Sequence, residues 1–235
     1  MYKVLGILVL IAIGFGAYYF MRNNLGSTNN NQNQQEQPNQ QANNPTPPPA
    51  PVAGETTMPE KAVAVVETNQ GTFEITLDGK AAPKTVANFI KLSKEKYYEN
   101  TKFHRIIASF MIQGGDPNSK DNDPSNDGLG GPGYTIPAEI GLKHNQYAVA
   151  TARQGDQVNP TKASSGSQFF IVTEESPQTH TALDGNYTVF GYVTKGMDVI
   201  DKIALTPVDF NPYSGEQVPS LPLEDVVIKK ITIKE

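Results

Sequence analysis

The sequence predicts a mainly β domain, an antiparallel barrel with helices covering its ends, set behind an apolar N-terminal helix and a disordered linker. Three observations lead there. From residue 59 onward, apolar residues recur in many short alternating runs separated by Gly-rich loops, the pattern of an all-β barrel or sandwich. Only two stretches of that region carry a helical period. Ahead of it, the chain is first continuously apolar and then dominated by Asn, Gln and Pro.

The N-terminal run, residues 4–20 (VLGILVLIAIGFGAYYF), lies between Lys3 and Arg22. At about 17 residues it is at the short end for a membrane-spanning helix and slightly long for a signal-peptide core. Tyr18, Tyr19 and Phe20 resemble an interfacial aromatic belt, and a small-residue cleavage site is only weakly offered around Gly14-Phe15-Gly16. The reading is an uncleaved signal-anchor over residues 1–22, with a cleaved signal peptide as the alternative. Lys3 and the amino terminus outweigh Arg22 by a small margin, which favours the N-terminus inside and the rest of the chain outside the cytoplasm. Residues 23–58 have almost nothing with which to build a core and are expected to be a disordered tether. As a flexible coil it would hold the domain roughly 30–35 Å from its anchor.

The domain follows at 59–235. Residues 62–67 and 72–77 read as a hairpin around Asn69-Gln70-Gly71, with Phe73, Ile75 and Leu77 on one face. Residues 83–96 read as a helix: Pro83 suits its first turn, and Val86, Phe89, Ile90 and Ser93 share a face. Short strands are expected at 102–107, 110–113, 147–152, 168–172 and 189–193. A second helix is expected at 196–204 with Met197, Ile200 and Ile203 inward, and a closing strand at 226–233.

Composition excludes several functions. Of 235 residues, none is Cys, so disulfides, iron–sulfur clusters, thiolate zinc sites and Cys nucleophiles are out. The net charge of −5, with no basic run or stripe, argues against nucleic acid as the partner. The three His lack metal-ligand spacing, and no metal or cofactor is expected. Gly128 to Gly133 fits G-x-G-x-x-G but follows a polar loop and leads into Tyr134-Thr135-Ile136-Pro137, which cannot open a dinucleotide-binding helix. Residues 121–128 partly match a calcium loop, but Tyr134 stands where the last carboxylate belongs, so a solvated loop is the better reading. Ser164, Ser165 and Ser167 sit in a turn without a placed base, so a hydrolytic triad is not supported.

The stretch at 103–116, FHRIIASFMIQGGD, is the remaining candidate. It sets Arg105 among apolar residues, and an Arg is rarely buried without a partner. A structural ion pair is the commonest explanation for such an Arg. The alternative comes from its neighbours: Phe110 and Phe170 could wall an apolar slot, rimmed by the Arg105 fork and the amides of Gln113 and Gln168, that suits an apolar ring attached to a peptide carbonyl.

These residues resemble the cyclophilin-type peptidyl-prolyl isomerases. The resemblance is carried, in the family's order, by FHRIIASFMIQGGD, GGPGY at 130–134, ATAR at 150–153, GSQFF at 166–170, LDG at 183–185 and VFGYV at 189–193. It spans the domain and none of the anchor or tether, and it implies a closed eight-stranded antiparallel β-barrel capped by two helices. By this resemblance Arg105, with Gln113 and Phe110, occupies catalytic positions. His104, Met111, Ala152, Arg153, Gln168, Phe170, Leu183 and Tyr187 occupy substrate-binding ones. Two positions depart: Ala182 stands where the family often has Trp, which argues against strong cyclosporin binding, and Tyr187 where it often has His. Arg153 is the residue that bacterial-looking members carry.

The implied function is peptidyl-prolyl cis-trans isomerisation of proline-containing segments in folding proteins, by a membrane-anchored monomer. The alternative is a module that holds such segments, as a chaperone, without turnover.

Overall fold

A computed structural model describes residues 60–234. The expected anchor at 1–22 and the whole of the tether at 23–58 lie outside the described residues. Among the described residues no helix is long and apolar enough to cross a membrane.

The chain begins with its most regular part. Strands β1 (Lys61–Thr68) and β2 (Thr72–Asp78) form an antiparallel hairpin in which Ala64 faces Ile75 and Val66 faces Phe73. Strict alternation buries Ala62, Ala64 and Val66 with Phe73, Ile75 and Leu77. The turn is closed by Thr68, whose backbone N–H and hydroxyl both donate to the Gly71 carbonyl at 2.9 and 2.7 Å. Helix α1 (Pro83–Lys94) starts on Pro83 and buries Val86, Phe89, Ile90 and Ser93, the face that the period marks out. Phe89 is the hub of an aromatic cluster, with ring centroids 5.2 Å from Tyr98, 5.7 Å from Phe169 and 5.2 Å from Phe190. Through it α1 closes one end of the sheet.

The middle strands are short: β3 (Arg105–Ile107), β4 (Met111–Gly114), β5 (Ala148–Thr151) and β6 (Phe169–Val172). Then come α2 (Pro177–Leu183), β7 (Val189–Lys195) and α3 (Met197–Ala204). The chain ends with a small hairpin of β8 (Val208–Phe210) and β9 (Pro219–Pro222), and β10 (Ile228–Lys234). Eight strands make one curled antiparallel sheet in the order β10-β1-β2-β7-β5-β6-β4-β3.

Three expectations are corrected here. The barrel is a half-barrel and not a closed ladder: β3 and β10 are the two ends of the sheet order and do not pair as strands. The gap is bridged just upstream of each, where Asn100 and Phe103 N–H groups donate to Ile228 and Val226 carbonyls, and Ile228 N–H to Thr101, each at 2.8 Å. A single bridge, Lys102 to Val227, completes that seam. The α-helices number three among the described residues, not two, beside a single 3-10 turn at Pro117–Lys120. The extra one, α2, is capped by Ser176, whose hydroxyl accepts the Thr179 N–H at 3.1 Å, and starts on Pro177. Finally, Met197 at the start of α3 is exposed, and Ile200 and Ile203 carry its buried face.

Candidate active site

The four short strands are in a register that lines up one row of side chains. Arg105 on β3 lies opposite Gln113 on β4, Gln113 opposite Phe170 on β6, and Phe170 opposite Ala150 on β5. Side chains two residues apart on a strand share a face. Ile107, Met111, Val172, Phe170, Ala148, Ala150 and Ala152 therefore gather on the convex side as a second apolar cluster, joined by Leu183 and Val189 and flanked by Phe110, Ala182 and Tyr187. The alternate residues, Ile106, Ile112, Ile171, Phe169 and Val149, belong to the interior core.

A chain of hydrogen bonds crosses the edge of this convex cluster. Arg105 Nη1 donates to Gln113 Oε1 at 3.0 Å, and Gln113 Nε2 donates to Gln168 Oε1 at 3.0 Å. Gln168 Nε2 ends the chain on the carbonyls of Gly128 and Gly130, at 3.0 and 2.8 Å. Those glycines are held from the other side by buried Asp116, whose Oδ2 accepts both of their N–H groups, at 2.5 and 3.2 Å. The G-x-G-x-x-G stretch is thus a loop gripped on N–H by Asp116 and on C=O by Gln168. Arg105 Nη1 also rests on Met111 Sδ at 3.6 Å, in the wall of the apolar cluster.

Arg105 has an ion-pair partner as well. Its Nε donates to Glu216 Oε1 at 2.8 Å and its Nη2 to the same oxygen. The Arg105 and Glu216 side chains are 25% and 21% exposed, so the pair is mostly buried, with one edge in solvent. Burial alone would push the Glu216 carboxyl up, but the Arg105 hydrogen bonds and charge, with Ser220 and Ser214, hold it below the usual carboxylate range.

The far wall is aromatic. The Tyr187 ring meets Phe170 edge-on at 5.5 Å, and the Arg153 guanidinium lies 4.8 Å over the Tyr187 ring. Behind Phe170 stacks His144, at 6.1 Å, whose Nδ1 bonds Asp184 Oδ1 at 2.9 Å. Burial pushes His144 down, against the pull of Asp184.

The structure brings together Arg105, Phe110, Met111, Gln113, Ala152, Gln168, Phe170, Leu183 and Tyr187, with Arg153 on the outside of Tyr187. His104 is placed apart. It is buried, neither ring nitrogen has a hydrogen-bond partner, and it lines a different cavity of about 280 Å³ with Lys102, Asp121 and Asp127. Burial lowers its pKa to about 4, only partly offset by Asp116. In the loop at 121–127 the carboxylates cap their own backbone, Asp121 accepting the Asp123 N–H at 2.8 Å and Asp123 the Ser125 N–H at 3.0 Å. Among the described residues no group of three or more His, Asp or Glu is placed to hold a metal ion.

Sequence reasoning did not find Glu216, Ser220, His144 or Asp184. An Arg in an apolar run announces that it needs an acidic partner, but 24 Asp and Glu residues are available and Glu216 lies in a stretch with no period. Asp184, next to Leu183 in the LDG motif, was the better signal.

An apolar surface edged by a charged donor fork and two amides can hold a peptide by contact and hydrogen bonding, without covalent chemistry. The chain belongs to the cyclophilin type peptidyl-prolyl cis-trans isomerase family, whose pattern it matches over residues 63–233. It is similar to peptidyl-prolyl cis-trans isomerase B of Streptomyces anulatus, 37% identical over 198 residues, covering 75% of this chain and 99% of the relative. A peptidyl-prolyl cis-trans isomerase of Helicobacter pylori is 37% identical over 154 residues, covering 63% of this chain and 84% of the relative. Among solved structures, a cyclophilin type peptidyl-prolyl cis-trans isomerase of Cryptosporidium parvum superposes with a TM-score of 0.60 at 31% identity, covering 74% of this chain and 98% of its own. The same enzyme crystallised in the presence of the dipeptide Ala-Pro superposes with a TM-score of 0.59.

Proposed function

We propose that the convex slot binds the proline ring of an X–Pro segment and that Arg105 stabilises the twisted amide through which cis and trans interconvert. The barrier comes from lost amide resonance, roughly 18–20 kcal/mol, and uncatalysed exchange takes tens of seconds or more. No bond need be made or broken. A catalyst has only to bind the twisted state better than either planar one. Phe110, Met111, Phe170 and Leu183 supply the apolar surface for the ring. The Arg105 fork donates to the twisted amide, and Gln113 and the backbone near Ala152 hold the peptide on either side.

The observation that carries this reading is the placement of Arg105 Nη1, bonded to Gln113 and resting on Met111 Sδ, so that a charged donor borders the apolar slot. A guanidinium is a planar cation, and this one is held by Gln113 and Glu216, which suits fixed electrostatic stabilisation. The Cryptosporidium relative studied with Ala-Pro supports proline peptides as the ligand class. The substrates would be proline-containing segments of folding proteins, met by a monomer tethered through residues 4–20 on the extracytoplasmic side. Support for that location is the apolar run followed by a core-less tether.

An isomerisation assay on an Ala–Pro tetrapeptide tests the activity: the purified chain should speed exchange, and Arg105→Ala should lower kcat/KM by roughly 100-fold or more. Tight peptide binding without acceleration would instead assign a holding module. For location, fractionation of the full-length chain should recover it with membranes and leave the domain open to external protease. Recovery in the cytoplasmic fraction would refute the tether.

A further inference from the structure

We infer that Glu216, carried on the β8–β9 hairpin, is a positioning residue for Arg105: it takes up one edge of the guanidinium and so turns the remaining donors toward the slot. The inference rests on the reading of Arg105 given above.

A guanidinium has five N–H donors and no acceptor. In this site Nε and one Nη2 N–H go to Glu216 Oε1, and one Nη1 N–H goes to Gln113 Oε1. One Nη1 N–H rests on Met111 Sδ, a weak acceptor in the slot wall, and one Nη2 N–H has no acceptor among the described residues. These last two are the donors a substrate can recruit without breaking a strong hydrogen bond. Glu216 and Gln113 hold the group from two sides, so rotation about the terminal bonds of the side chain is blocked.

Glu216 is itself held. Its Oε2 accepts from the Ser220 hydroxyl at 2.5 Å, and its backbone N–H donates to the Ser214 hydroxyl at 3.2 Å. Ser220 is fully buried on β9, and β9 packs along β3, the strand that carries Arg105. The hairpin therefore delivers its carboxylate to a fixed point beside β3. Without Glu216, a side chain that is 25% exposed would be free to swing toward water on that edge. A misplaced catalytic group loses most of its value, up to roughly 100-fold in rate for displacements near 1 Å.

The experiment uses the full purified chain and an Ala–Pro tetrapeptide, with kcat, KM and Tm measured for Glu216→Ala, Glu216→Gln, Arg105→Ala and the Glu216→Ala/Arg105→Ala double variant. Glu216→Ala should lose roughly 10- to 100-fold, mainly in kcat. Glu216→Gln, which keeps an amide oxygen for Nε to bond, should recover part of the loss. The double variant should be no slower than Arg105→Ala alone, because a positioning residue has nothing left to position. Should Glu216→Ala fold poorly, Ser220→Ala loosens the carboxylate without touching Arg105 and should give a smaller loss in kcat. Full or raised activity of Glu216→Ala while Arg105→Ala is inactive overturns the inference and leaves the reading of Arg105 intact. An equal further loss in the double variant also overturns it, since that is the mark of a merely structural role. Wild-type activity of Arg105→Ala removes the underlying reading, and the inference with it.

Discussion

The two faces of the β3–β4–β6–β5 segment are made by the same fifteen residues, yet they differ in what their side chains leave unmade. On the concave face Ile106, Ile112, Ile171 and Val149 have no solvent exposure, and Phe169 lies edge-on to Phe89, Tyr98 and Phe103. Nothing there can accept a ligand. On the convex face the same strands present Met111, Phe170 and the alanines of β5, half of it walled by Phe110 and Tyr187, with Arg105, Gln113 and Gln168 along one edge. A two-residue period lets one short strand contribute both to a sealed core and to a site. The concave residues decide whether the domain folds; on the convex side Met111, Phe170 and Leu183 are themselves buried, and it is the part-exposed edge residues Arg105, Phe110 and Gln113 that can change with little effect on folding.

Substitutions on the two faces should separate those roles. The largest effect is expected on the concave side: Phe169→Ala empties the centre of the aromatic cluster and should cost about 3–5 kcal/mol in denaturant unfolding. Activity per folded molecule should change far less. A cost below about 1 kcal/mol would mean that the aromatic cluster is not the core.

Next comes His104, whose burial without partners holds its pKa near 4, against about 6.5 when unfolded. With the folded value depressed, the unfolded chain takes up the proton first. Stability is then complete above about pH 6.5 and falls as pH drops toward 4, by at most about 3 kcal/mol. His104→Leu should flatten that part of the stability–pH curve with peptide isomerisation retained. An unchanged slope would place the titration elsewhere.

The smallest of the three is Phe110→Ala. Half-buried at the slot wall, it should lose about tenfold in kcat/KM, mostly through KM, while Tm moves by only a few degrees. A drop in Tm as large as that of Phe169→Ala would erase the distinction between the faces.

The sequence and the structure agree where pattern runs long enough to repeat. The β1–β2 hairpin has seven consecutive paired residues, and α1 has three turns with one apolar face, so both were readable. Strands β3, β4, β5 and β6 are only three or four residues long, yet short apolar runs are expected at each, and Arg105, Phe110, Gln113, Gln168 and Phe170 stand out by residue type. Ala152, Arg153, Leu183 and Tyr187 are placed at the site only by the linked motifs resembling a known family. Helix α2 escaped because only Thr179 and Leu183 of its seven residues are buried, although Ser176-Pro177 is an N-cap signal. The unclosed seam escaped because closure depends on whether strand pairing continues from 100–103 and 226–228 into β3 and β10, which no local pattern encodes. Glu216 escaped because it lies 111 residues from the arginine it holds.

The claim that the convex face works through a charged, planar donor comes down to Arg105→Lys, which keeps the charge and removes the fork. Its Tm should stay close to the parent value, because the side chain is at the rim and outside the core. Its kcat/KM on an Ala–Pro tetrapeptide should fall by roughly 100-fold or more, since a flexible ammonium cannot hold Gln113, Glu216 and the substrate at once. Isomerisation at the wild-type rate by a folded Arg105→Lys chain would contradict this account.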